Sequence, residues 1–303
     1  MPSIAPDVRK YLRPEVVSRL GSLQLKARLV VEGFLTGLHR SPYHGFSVEF
    51  AEHRQYMPGD ELKHVDWKVY GRTDRFYVKQ YEEETNVRAL LILDSSASMR
   101  YASAGNIPKF EYATYLSAAL SYLLLRQQDA IGFALYNTTL QHYFPPRSKL
   151  SYLYAILSVL EKITPSEQTS TATALHQIAE RLKRRSLVVL ISDFFDQPEE
   201  IVGALKHFRH RNHELLVFHI LDPRERDFGF TQSAIFEDME TGERITTHPQ
   251  HIQKSYQEAM ERHIRFLQRE CRERSIDYVL FDTAQPFDLA LRHFLHKRRR
   301  IAG

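Results

Sequence analysis

The chain has 303 residues, which is long enough for one large domain and a smaller one. Hydrophobic residues make up 43% and charged residues 26% of the sequence, a composition that excludes a disordered chain. The formal net charge is only +4, with both signs mixed along the chain. This balance indicates weak affinity for acidic surfaces at most.

The first part of the chain falls into two segments that differ in the pattern of apolar and polar residues. Residues 1–40 have a helical pattern and are predicted as an N-terminal helical segment. Residues 41–85 contain alternating apolar and polar stretches around a Pro-Gly turn, which predicts a small strand-rich subdomain. This segment also contains acidic and histidine side chains that could form a metal or acid–base site, but we interpret them as part of turn structure. They are Asp60, Glu61, His64 and Asp66.

From residue 86 to 303, strand-like runs alternate with helical patterns. The runs are continuous in Val, Ile and Leu, as is typical of strands covered on both faces of a sheet. This alternation predicts an α/β fold with a doubly wound, mostly parallel sheet. Residues 227–248 do not fit the alternation and are predicted as an inserted β-hairpin. The predicted strands are 89–94, 186–193, 214–222 and 277–282, with a weaker fifth at 130–136.

Each of the four strong runs ends in an aspartate. In an open α/β sheet, ligands bind outside the carboxyl ends of the strands, at the point where the strand order reverses. The sequence therefore directs several carboxylates to one edge of the sheet. Two of them have a simpler interpretation as turn caps, Asp222 before Pro223 and Asp282 before Thr283. The four aspartates are Asp94, Asp193, Asp222 and Asp282.

Two serines follow the first of these aspartates, as Asp94-x-Ser96-x-Ser98. A carboxylate and two hydroxyls on one tight loop are hard oxygen ligands of the kind that suits Mg²⁺. Asp193 could supply a second carboxylate, and the hydroxyl-rich stretch 166–175 a further neutral oxygen. Alternatively, the serines are helix N-caps and Asp94 binds loop amides with no metal present.

The same motif, followed by Met99, resembles the metal-ion-dependent adhesion site of von Willebrand factor A-type domains. Other stretches are similar to the bacterial family called domain of unknown function 58. Together they cover most of the chain in the right order, and they imply a von Willebrand factor A-like domain over 86–303. The similar stretches are Gly45 with 48–50, 54–85, 93–99, 175–196 and 285–295.

The resemblance also implies a set of metal ligands for Mg²⁺, or for Mn²⁺ or Ca²⁺ in its place. Thr169 is assigned by its position in the motif, although the family usually has Gly before this threonine and the chain has Gln168. Thr171 and Thr173 are alternatives in the same register. The implied ligands are Asp94, Ser96, Ser98, Thr169 and Asp193.

Members of this family are often encoded beside MoxR-type AAA+ ATPases. The resemblance therefore implies a non-enzymatic interaction protein, an adaptor or chaperone-like partner of such an ATPase or of its client, which binds an acidic partner residue through Mg²⁺. A metal-dependent phosphoesterase that uses the same carboxylate rim is the alternative. A third reading is a basic nucleic-acid adaptor, based on the runs 181–186 and 296–300.

Several features of the sequence favour a cytoplasmic protein. The single cysteine, Cys271, cannot form an internal disulfide and is expected to be buried or inert. No apolar stretch approaches the roughly 18 residues that a membrane span requires. The N-terminus lacks the basic-then-apolar order of a signal peptide. Neither a serine-hydrolase G-x-S-x-G motif nor a phosphate-binding GxxxxGK[ST] loop is present.

Overall fold

The computed structural model describes residues 13–39, 53–56, 67–79, 87–166, 168–230 and 234–302. These residues divide into two compact units. The small unit lies between Leu38 and Asn86, and the large unit combines the residues before it with those from Val87 onwards. Of the predicted N-terminal helical segment, the described residues 13–37 are therefore part of the large unit.

The elements are numbered in chain order. The helices are α1 (Pro14–Ser18), α2 (Leu23–His39), α3 (Trp67–Thr73), α4 (Lys109–Arg126), α5 (Leu150–Leu160), α6 (Thr171–Arg181), α7 (Pro198–His210), α8 (Pro223–Asp227), α9 (Pro249–Glu273) and α10 (Asp288–Ala302), with a 3₁₀ helix at Ala97–Arg100. The strands are β1 (His53–Gln55), β2 (Tyr77–Lys79), β3 (Arg88–Asp94), β4 (Ala130–Tyr136), β5 (Leu140–Arg147), β6 (Leu187–Ser192), β7 (Glu214–Leu221), β8 (Ala234–Glu237), β9 (Arg244–Thr247) and β10 (Asp277–Asp282).

The large unit is built on a six-stranded sheet in the order β10–β7–β6–β3–β4–β5. All neighbouring strands are parallel except β4 and β5, which are antiparallel. The chain first runs outward from β3 to β4 and β5, and then returns to build β6, β7 and β10 on the other side of β3. The prediction of an α/β, doubly wound, mostly parallel sheet is confirmed, and the strand order reverses between β3 and β6.

The central strands are buried because helices cover both faces of the sheet. On one face, Leu90 and Ile92 of β3 share a fully buried cluster with apolar residues of α6, α7 and α9. On the other face, α4 packs against β3 and β4, and its Tyr112 stacks on Phe287 beside α10 with ring centroids 4.6 Å apart. Each such fully buried apolar side chain contributes roughly 1.5–3 kcal/mol relative to an exposed one.

Helix α2 is joined to the large unit by polar contacts at its beginning. The Leu23 amide donates to Glu161 Oε1 at 2.8 Å, and the Lys26 ammonium donates to the Tyr115 hydroxyl at 2.5 Å. Val30 and Phe34 lie four residues apart on its buried side. The helix therefore has an amphipathic face that is covered within the large unit.

The small unit combines a two-stranded antiparallel sheet with a helix. His53 of β1 pairs with Lys79 of β2, and Tyr70 of α3 stacks on Phe76 with centroids 4.4 Å apart. The helix α3 was not part of the predicted strand-rich subdomain over 41–85. It forms because Trp67 and Tyr70, three residues apart, share a helical face that contacts Phe76. Asp60, Glu61, His64 and Asp66 lie outside the described residues.

The segment predicted as a β-insert near 227–248 contains the antiparallel hairpin of β8 and β9, in which Glu237 pairs with Arg244. Helix α8 precedes this hairpin and α9 follows it. Within the described parts of the chain, no helix has both the length and the apolar character of a membrane span.

Candidate functional site

The carboxyl ends of β3, β6 and β4 lie side by side at the point where the strand order reverses. The parallel register pairs Leu93 with Ile191, and Asp94 with Tyr136. Asp94 at the end of β3 is therefore level with Ser192 and directly precedes the loop that carries Ser96 and Ser98. The sheet brings together residues that are about a hundred positions apart in the sequence.

Asp94 is fully buried and its two carboxylate oxygens have different partners. Oδ1 accepts from the Ser96 amide at 2.9 Å, whereas Oδ2 accepts from the Ser192 hydroxyl at 2.6 Å and the Tyr136 hydroxyl at 3.3 Å. Burial and the nearby Asp193 carboxylate raise the pKa of Asp94 to about 7, against the lowering effect of these hydrogen bonds. A positive charge at this position would therefore be favourable.

The serine loop turns sharply into the 3₁₀ helix Ala97–Arg100. This turn places the hydroxyls of Ser96 and Ser98 3.0 Å apart, as the sequence motif predicts. Ser95 faces another way, because its hydroxyl donates to the Tyr136 carbonyl at 2.8 Å. The two hydroxyls of the motif thus converge, whereas that of Ser95 forms a hydrogen bond with the backbone of β4.

The loop before α6 lies against the serine loop. The Ser166 amide donates to the Ser95 carbonyl at 3.0 Å, and the Ser170 amide donates to the Asn137 carbonyl at 3.1 Å. These two bonds hold Thr169 between them, and its hydroxyl lies 3.3 Å from that of the buried Thr171. The structure thus brings both threonines to the rim of the site.

Thr173, the other alternative in the threonine register, points away from this rim. It is exposed on α6, and its hydroxyl accepts from Ser170 at 2.9 Å. The Thr171 amide donates to Asp196 Oδ2 at 2.9 Å, which ties the start of α6 to the loop after β6.

Asp193 is paired with a buried lysine, which the sequence analysis did not anticipate. The Lys109 ammonium donates to Asp193 Oδ2 at 2.7 Å and to Glu225 Oε1 at 2.6 Å, and the Phe195 ring lies 4.7 Å from it. Lys109 is fully buried; desolvation lowers its pKa, but the two carboxylates outweigh this effect and raise it, so the side chain is charged. Asp193 Oδ2 thus already accepts from the Lys109 ammonium. Oδ1 accepts a longer hydrogen bond, from the Phe195 amide at 3.4 Å.

A further carboxylate reaches the site from the inserted hairpin. Glu240 Oε2 accepts from the Thr169 amide at 3.0 Å. The other oxygen, Oε1, is buried and has no hydrogen-bond partner among the described residues. Burial raises the pKa of Glu240, an effect that the Thr169 amide and the nearby Ser98 hydroxyl partly offset and that Asp193 increases. Ser98, Thr169 and Asp193 therefore all lie near the Glu240 carboxylate.

The oxygen atoms of this cluster, from carboxylates and hydroxyls, are of the kind that a hard divalent cation binds. The site holds four carboxylates, of which the Lys109 ammonium balances one; the carboxylates are Asp94, Asp193, Glu225 and Glu240. No cluster of three or more His, Cys, Asp or Glu side chains spaced to hold a metal ion occurs in the described residues. A magnesium ion here would instead depend on hydroxyl oxygens and water, together with the orphaned Glu240 Oε1.

His219 adds no positive charge to the site. It is fully buried on β7, where Ser192 pairs with it in the register, and its Nδ1 lies 2.6 Å from the Tyr278 hydroxyl. Burial lowers the pKa of His219 to about 3. The imidazole is therefore neutral at physiological pH, and Lys109 is the positive group that the described structure places beside Asp193.

The two remaining strand-end aspartates are caps, in agreement with their simpler interpretation. Asp222 begins α8, where its Oδ1 accepts from the Arg224 amide at 2.8 Å and its Oδ2 from the Ser103 amide at 2.9 Å. Asp282 Oδ1 accepts from the Ala284 amide at 2.8 Å. The capping box of α8 also orients Glu225, whose Oε2 accepts from the Asp222 amide at 2.9 Å, toward Lys109.

Comparison with known proteins identifies the family. The sequence model described as "Protein of unknown function DUF58" matches residues 52–265. The chain belongs to this family. The match covers both the serine loop around Asp94 and the hairpin that carries Glu240.

Relatives of this DUF58 protein include uncharacterized proteins of Mycobacterium bovis and Mycobacterium tuberculosis. Each is 26% identical over 232 residues, which cover 76% of this chain and 72% of the relative. Similar solved structures include the conserved hypothetical protein BatB from Bacteroides thetaiotaomicron, at 17% identity with a TM-score of 0.48 over 71% of this chain and 99% of that chain. The SpRpn10 VWA domain is similar at 13% identity with a TM-score of 0.40, over 67% of this chain and 92% of that domain.

Proposed function

We propose that this DUF58 protein is a metal-ion-dependent protein-interaction module. Its large unit would present a divalent cation, Mg²⁺ in the cell, at the carboxyl edge of the sheet to an acidic side chain of a partner protein. The observation that carries the proposal is the meeting of two loop hydroxyls, Ser96 and Ser98, with the Thr169 loop and buried carboxylates at one edge of the sheet.

The roles of the residues follow from their chemistry. Ser96, Ser98 and Thr169 would supply neutral oxygens, which leave a bound cation electrophilic enough to accept a further carboxylate. Asp94 and Asp193 would contribute charge, Asp94 through its buried carboxylate and Asp193 through the oxygen that does not accept from Lys109. The ion itself would supply the positive charge that attracts the partner's acid.

The partner that we propose is a MoxR-type AAA+ ATPase or its client, with this protein as a non-enzymatic cytoplasmic adaptor. This part of the proposal is based on the family resemblance and on the chemistry of an electrophilic cation. Cys271 is fully buried, and a single thiol forms no internal disulfide, which agrees with a reducing compartment.

The proposal can be tested by titrating the purified protein with Mn²⁺ and Mg²⁺ in a calorimeter. Ser98→Ala should weaken binding because it removes one of the two converging hydroxyls, and Asp94→Ala should abolish it. Ser95→Ala is the matched control, since its hydroxyl donates to the backbone of Tyr136 and not to the site. Equal affinities of wild type, Ser98→Ala and Ser95→Ala would refute the cation site.

The same variants separate the interaction module from its alternatives. A purified MoxR-type ATPase should be retained on the immobilised protein only with Mg²⁺, and Ser98→Ala should release it. Turnover of p-nitrophenyl phosphate that Asp94→Ala abolishes would indicate a metal-dependent hydrolase instead. Retention of DNA or RNA that falls steeply with salt and is independent of Mg²⁺ would indicate a nucleic-acid adaptor.

A further inference from the structure

The tip of the β8–β9 hairpin is a well-defined turn. Asp238 organises this turn, since its carboxylate accepts from the amides of Glu240 and Thr241 at 2.8 and 2.9 Å. Its carbonyl accepts from the Gly242 amide and its amide donates to the Glu243 carbonyl, at 2.8 Å each. Gly242 takes a left-handed φ of +74°, which favours glycine at this position. The turn therefore fixes the direction in which the Glu240 side chain leaves the hairpin.

That direction is toward the candidate cation site. Glu240 Oε2 accepts from the Thr169 amide at 3.0 Å, and Oε1 is buried without a hydrogen-bond partner among the described residues. A buried carboxylate oxygen is costly unless donors replace its hydration, and the nearby Ser98 hydroxyl does so only in part for Glu240. A cation beside Ser98 and Thr169 would supply the missing partner.

The acidic neighbours of Glu240 on the hairpin behave differently. Glu237 on β8 is half exposed and pairs with Arg244 across the hairpin at 2.9 Å, and Glu243 is exposed. Such solvated positions are usual for acidic side chains in a hairpin. Of the three glutamates, only Glu240 is directed into a cluster of other carboxylates and hydroxyls.

We propose that Glu240 is the internal carboxylate ligand of the cation site, so that an acidic partner residue must displace the hairpin tip to reach the ion. The inference rests on the proposed function, since it assigns the position that the partner's acid would take. It makes the hairpin a competitor of the partner, built into the same chain.

The packing of the hairpin is consistent with displacement of its tip. Phe236, which pairs with Ile245 one position before the end of β8, stacks on Phe228 with centroids 5.2 Å apart and anchors the strands. Ile235 and Ile245, by contrast, are 65% and 66% exposed, so little apolar surface holds the rest of the hairpin down. The bond of Glu240 to the Thr169 loop is then the main polar contact that a competing carboxylate has to replace.

The test compares Mn²⁺ affinity in wild type, Glu240→Ala and Glu240→Gln by calorimetry, with Glu243→Ala as the matched control on the same turn. Loss of one carboxylate ligand should weaken Mn²⁺ binding roughly tenfold or more in both Glu240 variants and leave the control unchanged. Circular dichroism verifies that each variant is folded. Sodium acetate, compared with sodium chloride at equal ionic strength, should restore the affinity of Glu240→Ala and leave that of wild type unchanged.

The outcomes separate this inference from the function on which it rests. Mn²⁺ binding that is weakened by Ser98→Ala but equal in wild type and both Glu240 variants would overturn the role of Glu240 alone. Acetate that strengthens Mn²⁺ binding equally in wild type and Glu240→Ala would also overturn the role of Glu240. The coordination position assigned to this glutamate would then be free in the native protein. Failure of wild type to bind Mn²⁺ would overturn the cation site itself.

Discussion

Replacing Lys109 by methionine is the sharpest perturbation of the site that the structure suggests. Methionine has a similar length and shape, so the change removes the charge and leaves most of the volume. In the wild type, the ammonium donates to Asp193 at 2.7 Å and to Glu225 at 2.6 Å. Without it, Asp193 and Glu225 lose the ammonium that the described structure gives them as a charged donor.

The expected loss of stability follows from the burial of the pair. The Lys109 and Asp193 side chains are 0% and 1% exposed, and that of Glu225 is 13% exposed. Removal of one member of such a buried pair costs about 3–5 kcal/mol, because a charge stays buried without compensation. Lys297 offers a matched control, since it also contacts two carboxylates, Glu214 and Asp277, but these are 20% and 36% exposed. Lys297→Met should cost about 1 kcal/mol or less.

Urea denaturation at pH 7, with and without Mg²⁺, measures both effects. Lys109→Met should lose its stability mainly in metal-free buffer. If the proposed cation site exists, Mg²⁺ should restore more stability to the variant than it adds to the wild type, since an ion bound to the folded state would supply positive charge. A loss below about 1 kcal/mol for Lys109→Met would refute the argument that this ammonium compensates the buried acids. Equal losses for Lys109→Met and Lys297→Met would do so as well.

Three further predictions concern the fold. A Cβ on Gly132 of β4 would lie 2.6 Å from the Phe144 carbonyl oxygen, so Gly132→Ala should cost about 1–3 kcal/mol in urea denaturation, whereas Gly203→Ala in α7, with open space around it, should stabilise by about 0.5–1 kcal/mol. Burial raises the pKa of Cys271 to about 12, so its thiol should react with a disulfide reagent only as fast as the protein unfolds; rapid labelling of the native protein would contradict this. Burial lowers the pKa of His213 from 6.5, so the unfolded chain takes up a proton that the folded one does not, and stability should fall below pH 6.5 by up to about 1.4 kcal/mol per pH unit. His213→Leu should flatten this part of the pH profile, and an unchanged slope would count against the assignment.

The sheet could be predicted from the sequence because its central strands are covered on both faces. Such strands are nearly continuous in Val, Ile and Leu, as in β3 and β6, and a run of this kind is readily recognised in a sequence. Strand β5 escaped prediction because it lies at the edge, pairs only with β4, and contains Pro145 and Pro146, which are compatible with an edge position but weaken the strand pattern.

The candidate site could be predicted only in part, because some of its residues come from distant elements of the chain. The hydroxyls of Ser96 and Ser98 lie on one loop, so their convergence is a local property that their spacing indicates. Lys109 and Glu240 reach the site from distant elements, and their residue types normally indicate solvated positions. Only the tertiary structure shows that the start of α4 is buried beside Asp193, and that one of three hairpin glutamates turns inward.

The central position of β3 has a consequence for synthesis of the protein. Asp94 and the Ser192 hydroxyl that donates to it are separated by 98 residues, because β6 is inserted beside β3 only after β4, β5 and three α-helices have been made. At 5–20 residues per second, a ribosome needs about 5–20 s to produce that intervening stretch. During this interval the nascent chain carries an apolar strand with one open edge, which makes it a substrate for holdase chaperones and a point of aggregation when translation stalls.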